Sequence, residues 1–408
     1  MNSSFEHLGI ASDLLKRLRE MSLTIPTPIQ QKAIPIAVTG EDLIGIAQTG
    51  TGKTLAFAVP MIQQLSKTKK KGLVLLPTRE LALQVNETFQ KVGGPFKLRT
   101  AVLIGGESIH KQLQILRSHP HIIIATPGRL IDHLEQKTVS LHEVNVLVLD
   151  EADRMLDMGF EPQIRKILNT VPKERQTMLF SATIPTEIGG IALKYMKQPL
   201  RVEVAPSGTA AETVEQEVYI VHRDQKLALL EKILKEVHGT VLVFIRTKHG
   251  AKKIARIVHQ LGHSTAELHS NRSLKQRMDA MKGFKSGKFR VLIATDIASR
   301  GIDVTGIELV INFDLPENSE DYVHRIGRTG RAGKSGKAIS FACPEQRGDI
   351  RDIERLIKTR IPVAPLPELP PSRKPPMVIS TSQYAHGAEA RKNHPSRGFT
   401  RRRKRPRW

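Results

Sequence analysis

Short apolar runs recur along the chain, with helix-like segments between them. In the first half these runs are Leu43–Ala47, Leu73–Leu76, Ile122–Ala125, Val146–Leu149 and Met178–Phe180. Runs that are apolar on both faces are typical of the interior strands of a parallel sheet that is covered by helices. The pattern therefore predicts an α/β fold.

The pattern pauses in a stretch of small residues and then restarts. The second set of runs is Val218–Val221, Val241–Ile245, Val291–Ala294, Leu309–Phe313 and Ala338–Ala342. We therefore predict two α/β domains in tandem, at residues 1–205 and 211–360, joined by a linker at 206–210. Residues 361–408 begin rich in proline and end in a basic run, so we predict a disordered tail without regular elements.

Positive charge dominates the composition. The 408 residues carry a formal net charge of +23, and residues 371–408 contain 11 Lys and Arg against a single acid, Glu389. This balance favours a polyanionic partner, although a basic tail can also serve solubility alone. Cys343 is the only cysteine, which excludes an internal disulfide. Because no stretch approaches the ~18 apolar residues of a membrane span, we expect a cytoplasmic protein with no membrane partner.

One segment has the pattern of a phosphate-binding loop. Residues 47–54, Ala-Gln-Thr-Gly-Thr-Gly-Lys-Thr, follow a predicted strand and open a predicted helix. In that position glycines let backbone N–H groups face phosphates, a lysine reaches the β and γ oxygens, and a threonine binds Mg²⁺. The predicted nucleotide-binding residues are Thr49, Gly50, Gly52, Lys53 and Thr54, of which Thr54 also binds the metal ion.

A run of acids follows another predicted strand. Val146–Leu149 leads directly into Asp150-Glu151-Ala152-Asp153. Beside a P-loop, an acid at the carboxyl end of a parallel strand can bind Mg²⁺, and its neighbour can orient the attacking water. We predict these roles for Asp150 and Glu151, in that order. Taken alone, the four residues could also be a helix start with favourable acids.

With further motifs, these segments resemble the DEAD-box ATP-dependent RNA helicases over residues 5–342. Residues 26–30, Pro-Thr-Pro-Ile-Gln, match the family's adenine-binding motif, so the resemblance implies nucleotide contacts from Thr27 and Gln30. It also implies that Ser181 and Thr183 couple ATP to strand separation. The RNA-binding residues implied in the first domain are Pro77, Thr78, Arg79, Gly106, Thr126, Gly128 and Arg129.

The resemblance continues through the second domain. It implies RNA contacts from Arg246, Thr247, Thr295 and Arg300, and nucleotide contacts from Gly301 and Asp303. His324 would link the two domains. Arg328 and Arg331 lie three positions apart and can direct two guanidinium groups at the γ-phosphate. The predicted catalytic residues of the whole chain are Lys53, Asp150, Glu151, His324, Arg328 and Arg331.

Two segments depart from the family pattern. Ser22-Leu23 stands where the family usually has glycine and an aromatic residue, so an aliphatic surface beneath adenine would weaken stacking. His269-Ser270-Asn271 replaces the commoner His-Gly-Asp. It is more similar to the bacterial RhlE-type subgroup, although Ser270 is unusual there too.

The resemblance implies two RecA-like domains that bind ATP and Mg²⁺, close on single-stranded or short duplex RNA, and unwind it locally without reading its sequence. A monomer that acts in ribosome assembly or RNA turnover is the corresponding expectation. Two other functions remain open. One is an ATP-gated RNA clamp or annealing chaperone, and the other is a DNA helicase of the same superfamily.

Overall fold

The computed structural model describes residues 4–48, 50–68, 70–204, 214–296, 307–330 and 336–369. Several predictions concern residues outside these ranges, namely the linker 206–210, Thr49, Arg300, Gly301, Asp303, Arg331 and the tail from residue 370. In the ranges described, no helix is long and apolar enough to cross a membrane.

The first lobe, residues 4–204, is built on a seven-stranded parallel sheet in the order β3-β4-β2-β5-β6-β1-β7. Its strands are β1 (Leu43–Ile46), β2 (Lys71–Leu75), β3 (Thr100–Leu103), β4 (Ile122–Ala125), β5 (Val144–Leu149), β6 (Gln176–Ser181) and β7 (Leu200–Glu203). Its helices are α1 (Ser12–Glu20), α2 (Pro28–Ala37), α3 (Lys53–Leu65), α4 (Arg79–Gly93), α5 (Ile109–Arg117), α6 (Pro127–Glu135), α7 (Ala152–Asp157), α8 (Glu161–Thr170) and α9 (Thr186–Tyr195).

Two apolar clusters fill the two faces of this sheet. Val74 belongs to one cluster, whereas its neighbours Leu73 and Leu75 belong to the other. Side chains alternate between the faces of a strand, so a strand that is buried on both faces must be apolar throughout.

The second lobe, residues 214–369, repeats this architecture in the order β10-β11-β9-β12-β13-β8-β14. Its strands are β8 (Val214–Ile220), β9 (Val241–Phe244), β10 (Thr265–Leu268), β11 (Val291–Ala294), β12 (Leu309–Asn312), β13 (Gly336–Ala342) and β14 (Val363–Ala364). Its helices are α10 (Lys226–Glu236), α11 (Lys248–Gln260), α12 (Leu274–Lys285), α13 (Ser319–Ile326) and α14 (Arg347–Ile357). The predicted α/β fold with two parallel sheets in tandem is confirmed.

The prediction that no regular element follows residue 360 is wrong. Val363 and Ala364 pair in parallel with β8, and the N–H of Val218 donates to the carbonyl of Pro362 over 2.9 Å. Ile361 is only 5% exposed and belongs to the core of the lobe. The prolines do not prevent this strand because β14 lies at the sheet edge, where one side of a strand has no ladder partner.

This edge strand gives a test of stability. A chain that ends at Lys358 should lose about 2 kcal/mol or more of the second lobe's free energy of unfolding, because Ile361 alone removes a large aliphatic side chain from water. A chain that ends at Leu369 keeps these contacts and should unfold at the same denaturant concentration as the full chain. Urea unfolding of the three proteins measures the difference, and equal midpoints for the two truncations would contradict the assignment of β14.

Candidate nucleotide and RNA sites

The strand order of the first sheet separates the predicted motifs into two groups. All its strands are parallel, so their carboxyl ends lie along one edge of the sheet. Neighbouring strands β5, β6 and β1 lead into residues 150–153, residues 181–183 and the P-loop. Neighbouring strands β3, β4 and β2 lead into residues 105–106, 126–129 and 77–81. The candidate nucleotide and RNA residues therefore occupy different halves of one edge.

Lys53 is placed to meet a phosphate. It begins α3 directly after Gly52, and it is only 6% exposed. Its Nζ lies 4.0 Å from Asp150 Oδ1 and has no hydrogen-bond partner among the described residues. A buried ammonium usually has such partners, so its geometry fits an anionic ligand.

Gln30 connects the predicted adenine motif to the P-loop. Its Oε1 accepts from the N–H of Thr27 over 2.9 Å, and its Nε2 donates to the carbonyl of Gly52 over 3.0 Å. The amide keeps a second N–H and a second lone pair, so it can still pair with adenine. The adenine contact itself stays a prediction, as do the contacts of Gly50 and Thr54.

Asp150 lies at the carboxyl end of β5 and is 3% exposed. Burial raises the pKa of its carboxyl to about 6, and the nearby Lys53 lowers it only in part. A buried carboxylate that lacks full compensation by positive charge fits a divalent cation, which prefers oxygen ligands. With the hydroxyl of Thr54 near the start of α3, the residues present fit Mg²⁺.

Glu151 is held in place by a residue that sequence analysis missed. Its backbone is left-handed, with φ of 52°, and its Oε2 accepts from Arg154 Nη1 over 3.0 Å. Both side chains are almost fully buried. Left-handed backbone at a non-glycine residue is strained, and such strain is common at functional positions. The only signal in the sequence is that Arg154 follows three residues after Glu151 at the start of α7.

Asp153 joins the acidic segment to residues 181–183. Its Oδ2 accepts from the N–H groups of Ala182 and Thr183, over 2.9 and 3.0 Å, and from the Thr183 hydroxyl over 3.2 Å. The hydroxyl of Ser181 accepts from the N–H of Asp153 over 3.2 Å. Burial acts to raise the pKa of Asp153, but His324 and other positive neighbours outweigh it and lower the pKa.

His324 is the residue of the second lobe that lies near this cluster of first-lobe residues. Burial, followed by the positive charge of Arg154, holds the pKa of His324 well below its ordinary value, while Asp153 opposes them. Arg328 is 2% exposed, and its Nε donates to the carbonyl of His324 over 3.1 Å. The neighbouring Arg325 is a structural residue, since it forms two hydrogen bonds of 2.6 Å with Asp296.

Arginine side chains cluster in the RNA half of the sheet edge. Arg79 lies against Gly106, where a Cβ would be 1.9 Å from its Nη1, and the φ of 77° at this position favours glycine. Burial and then the positive charge of Arg277 lower the pKa of Arg79, and Arg129 acts in the same direction. Arg129 also donates to the carbonyl of Glu107 over 3.1 Å. Clustered guanidinium groups fit a phosphate backbone.

The lobes also meet in this half. Arg277 on α12 of the second lobe pairs with Glu80 on α4 of the first, with 2.5 Å between Nη2 and Oε1 and little exposure of either side chain. Sequence analysis missed this pair because its members are far apart in the chain. Pro77 and Thr78 precede Glu80, and the Thr78 hydroxyl caps α4 by accepting from the N–H of Leu81.

In the second sheet, too, neighbouring strands end next to each other at the predicted RNA residues. Thr295 and Arg246 follow the neighbouring strands β11 and β9, and residues 269–271 follow β10. The N–H of Arg246 donates to Asp314 Oδ2 over 3.1 Å, and the hydroxyl of Thr247 caps α11. Thr126 and Gly128 stand likewise at the start of α6 in the first lobe. The RNA contacts of Thr126, Gly128, Arg246, Thr247 and Thr295 stay predictions.

The structure gives a reason for the glycine that the family usually has where this chain has Ser22. Ser22 adopts a left-handed backbone with φ of 58°, a conformation that glycine adopts at least cost. Leu23 packs against the core of the first lobe.

Two parallel sheets of this order, with a P-loop on one and an arginine-rich segment facing it from the other, define a two-lobed P-loop helicase. The model of the DEAD/DEAH box helicase family matches residues 27–190, and that of the helicase conserved C-terminal domain matches residues 225–333. The chain belongs to the DEAD-box family of ATP-dependent RNA helicases.

Named relatives and solved structures agree with this assignment. The DEAD-box ATP-dependent RNA helicase CshA of Geobacillus kaustophilus is 40% identical over 362 residues, which are 88% of this chain and 78% of the relative. CshA of Bacillus subtilis is also 40% identical, over 88% of this chain and 74% of its own length. Dbp5 of S. cerevisiae bound to RNA and ADP BeF3 has a TM-score of 0.79 at 31% identity, covering 88% of this chain and 96% of that one. Mss116p bound to ssRNA and AMP-PNP has a TM-score of 0.83 at 29% identity, covering 90% of this chain and 80% of that one.

The contact between Gln30 and Gly52 can be tested with two glycines of similar backbone. Gly52 and Gly40 have φ of 93° and 91°, but a Cβ at Gly52 would lie 2.5 Å from Gln30 Nε2, whereas one at Gly40 meets nothing within 4 Å. Gly52→Ala should weaken ATP binding by roughly tenfold or more, since displaced polar contacts cost about 1–3 kcal/mol. Gly40→Ala should lower stability without changing ATP affinity. Titration with a fluorescent ATP analogue distinguishes them, and equal affinities would contradict this contact.

Proposed function

We propose that this protein hydrolyses ATP when the two lobes close together on RNA, and that closure separates short duplexes locally. The observation that carries this proposal is that the lobes approach each other at two places: His324 lies near enough to Asp153 for each to shift the pKa of the other, and Glu80 forms an ion pair with Arg277. One place lies in the nucleotide half of the sheet edge and the other in the RNA half. ATP and RNA therefore both stabilise the same closed state.

In the nucleotide half of the sheet edge, the role of each residue follows from the chemistry of its side chain or backbone. Gly50, Gly52 and Lys53 bind the phosphates, and Arg154 positions Glu151, which orients the attacking water. Thr54 and Asp150 hold Mg²⁺, which when bound neutralises charge on the phosphate oxygens. Arg328, with Arg331 of the same motif, stabilises the charge that grows on the γ-phosphoryl group.

In the RNA half, Arg79 and Arg129 bind phosphates from the first lobe, and Arg246, Thr247 and Thr295 bind from the second. Contacts to sugar and phosphate carry no base identity, so binding is independent of sequence. Asp153 transmits the state of the nucleotide, because it holds residues 181–183 while facing His324.

Several finer assignments are also part of this proposal. They comprise the domains 1–205 and 211–360, a monomeric cytoplasmic protein, a role in ribosome assembly or RNA turnover, and RhlE-type subgroup membership. The basic residues 371–408 would raise RNA affinity by releasing counterions.

Glu151→Gln tests the chemistry. Glutamine keeps an oxygen that can accept from Arg154, so the fold and ATP binding should persist while turnover falls by roughly 10²-fold or more. RNA should also dissociate more slowly in ATP. Glu161→Gln, which breaks a partly exposed Glu–Arg pair with Arg165, is the control and should leave the steady-state rate of phosphate release unchanged. Near-normal turnover in Glu151→Gln would exclude the proposed role, and normal duplex release without turnover would favour the clamp.

The pair Glu80–Arg277 tests closure. When the lobes separate, both side chains return to water, so an unpaired charge is costly only in the closed state. Glu80→Gln or Arg277→Met alone should weaken ATP-analogue-dependent RNA binding by roughly 10- to 100-fold, from about 1–3 kcal/mol. The double variant should be less impaired than the sum of the two losses.

Glu87→Gln provides the matched control for this cycle. It removes an exposed pair with Lys91 on the same helix α4 and should leave RNA affinity unchanged. Strict additivity of the Glu80 and Arg277 losses would show that the two residues do not meet in the working complex.

A further inference from the structure

A basic groove runs beside β10 at the outer edge of the second sheet. Among the described strands, β10 has a neighbour only on one side, where it pairs with β11. The groove has a volume of about 700 Å³ and is bounded by α11, β10 and α12. That volume lies within the ~300–1,000 Å³ of pockets that hold nucleotide-sized ligands.

The charges of the groove are unbalanced. Exposed Lys252, Lys253 and Arg256 lie on one side of α11, and Lys288 lies beyond α12. None of these four forms an ion pair with any residue in the described ranges. Asp279 also lines the groove, and Glu267 is already engaged by Arg272. The surface therefore carries uncompensated positive charge, which fits a polyanion.

The groove also offers an aromatic surface and begins near the candidate RNA site. Phe289 is partly exposed in the groove, where it lies against Gly283. Arg272, at the other end, belongs to residues 269–274, which follow β10 at the carboxyl edge of the sheet. Cations along a groove, combined with an aromatic ring, are the features that bind single-stranded nucleic acid without sequence preference.

We propose that this groove is a second RNA-binding site, which holds the part of a single strand that extends beyond the cleft between the lobes. This proposal rests on the proposed function, since it needs RNA in the cleft. The occupant is not the chain's own residues 371–408, because those are basic and would be repelled. An acidic peptide that pairs with β10 is the competing occupant, and the groove's continuity with residues 269–274 favours RNA.

Charge reversal in the groove tests this site. The variant Lys252→Glu/Arg256→Glu should bind an oligouridylate of about 20 nucleotides more weakly than the unchanged protein does. Both proteins should bind an oligouridylate of about 6 nucleotides equally well, because only the longer strand reaches beyond the cleft. Two lost phosphate contacts lower affinity about 25-fold at 0.1 M salt and make the salt slope shallower by about 1.4, taking ~0.7 per phosphate. Fluorescence anisotropy with a non-hydrolysable ATP analogue and Mg²⁺ measures both quantities.

Arg347→Glu/Arg351→Glu is the matched control. It makes the same change in net charge on exposed residues of α14, which packs on the opposite face of the second sheet from α11. Equal weakening of the longer RNA by both double variants would overturn the proposal, because net charge alone would explain it.

A further outcome would identify the competing occupant. If the longer RNA binds the groove variant normally, but polyglutamate binds only the unchanged protein, the groove takes an acidic protein and the RNA proposal is wrong. If the unchanged protein binds neither RNA in the presence of the ATP analogue, the proposed function itself fails, which is a separate result.

Discussion

The parallel direction of every strand is the constraint on which the candidate sites depend. Parallel strands end at the same edge of a sheet, so loops that are distant in sequence become neighbours. In the first lobe, β6 lies between β5 and β1, which places residues 181–183 between the acidic segment and the P-loop. The hydrogen bonds of Asp153 to Ala182 and Thr183 follow from this strand order. A different order would leave the same motifs without contact.

Contacts between the lobes include the buried pair Glu80–Arg277 and the partly buried Leu274, which packs against the core of the first lobe. Arg277 and Glu80 each lose hydration when they meet, so their attraction is offset by desolvation and yields little net stability. Burial is also the largest influence on His324 near Asp153, where it lowers the pKa of the imidazole, so this approach of the lobes too costs hydration. In the proposed closure, ligands that bridge both lobes would therefore decide between the open and the closed state.

The position of a strand within its sheet determined whether it could be predicted from the sequence. The ten apolar runs correspond to ten interior strands, whereas the four strands that were not predicted, β3, β7, β10 and β14, are the four edges. Edge strands meet water on one side and need less apolar sequence; in β7 only Val202 is buried. The residues of the candidate site also differ in whether the sequence alone could predict them. Local motifs gave Lys53 and Asp150, but the partner of Glu80 required the folded structure because Arg277 belongs to the other lobe.

The two halves of the sheet edges differ in how far their arginine and lysine side chains are paired with acidic groups. In the nucleotide half, Lys53 lies 4.0 Å from Asp150, and Arg154 pairs with Glu151. Such pairing fixes geometry, which suits a reaction that tolerates little displacement of its groups. In the RNA half, Arg277 pairs with Glu80 and Arg129 pairs with Asp132, and Arg79 lies near both arginines. In the groove beside β10, Lys252, Lys253, Arg256 and Lys288 form no ion pair with any described residue. Cations without an acidic partner can exchange counterions for phosphates, and the proposed RNA contacts depend on this property.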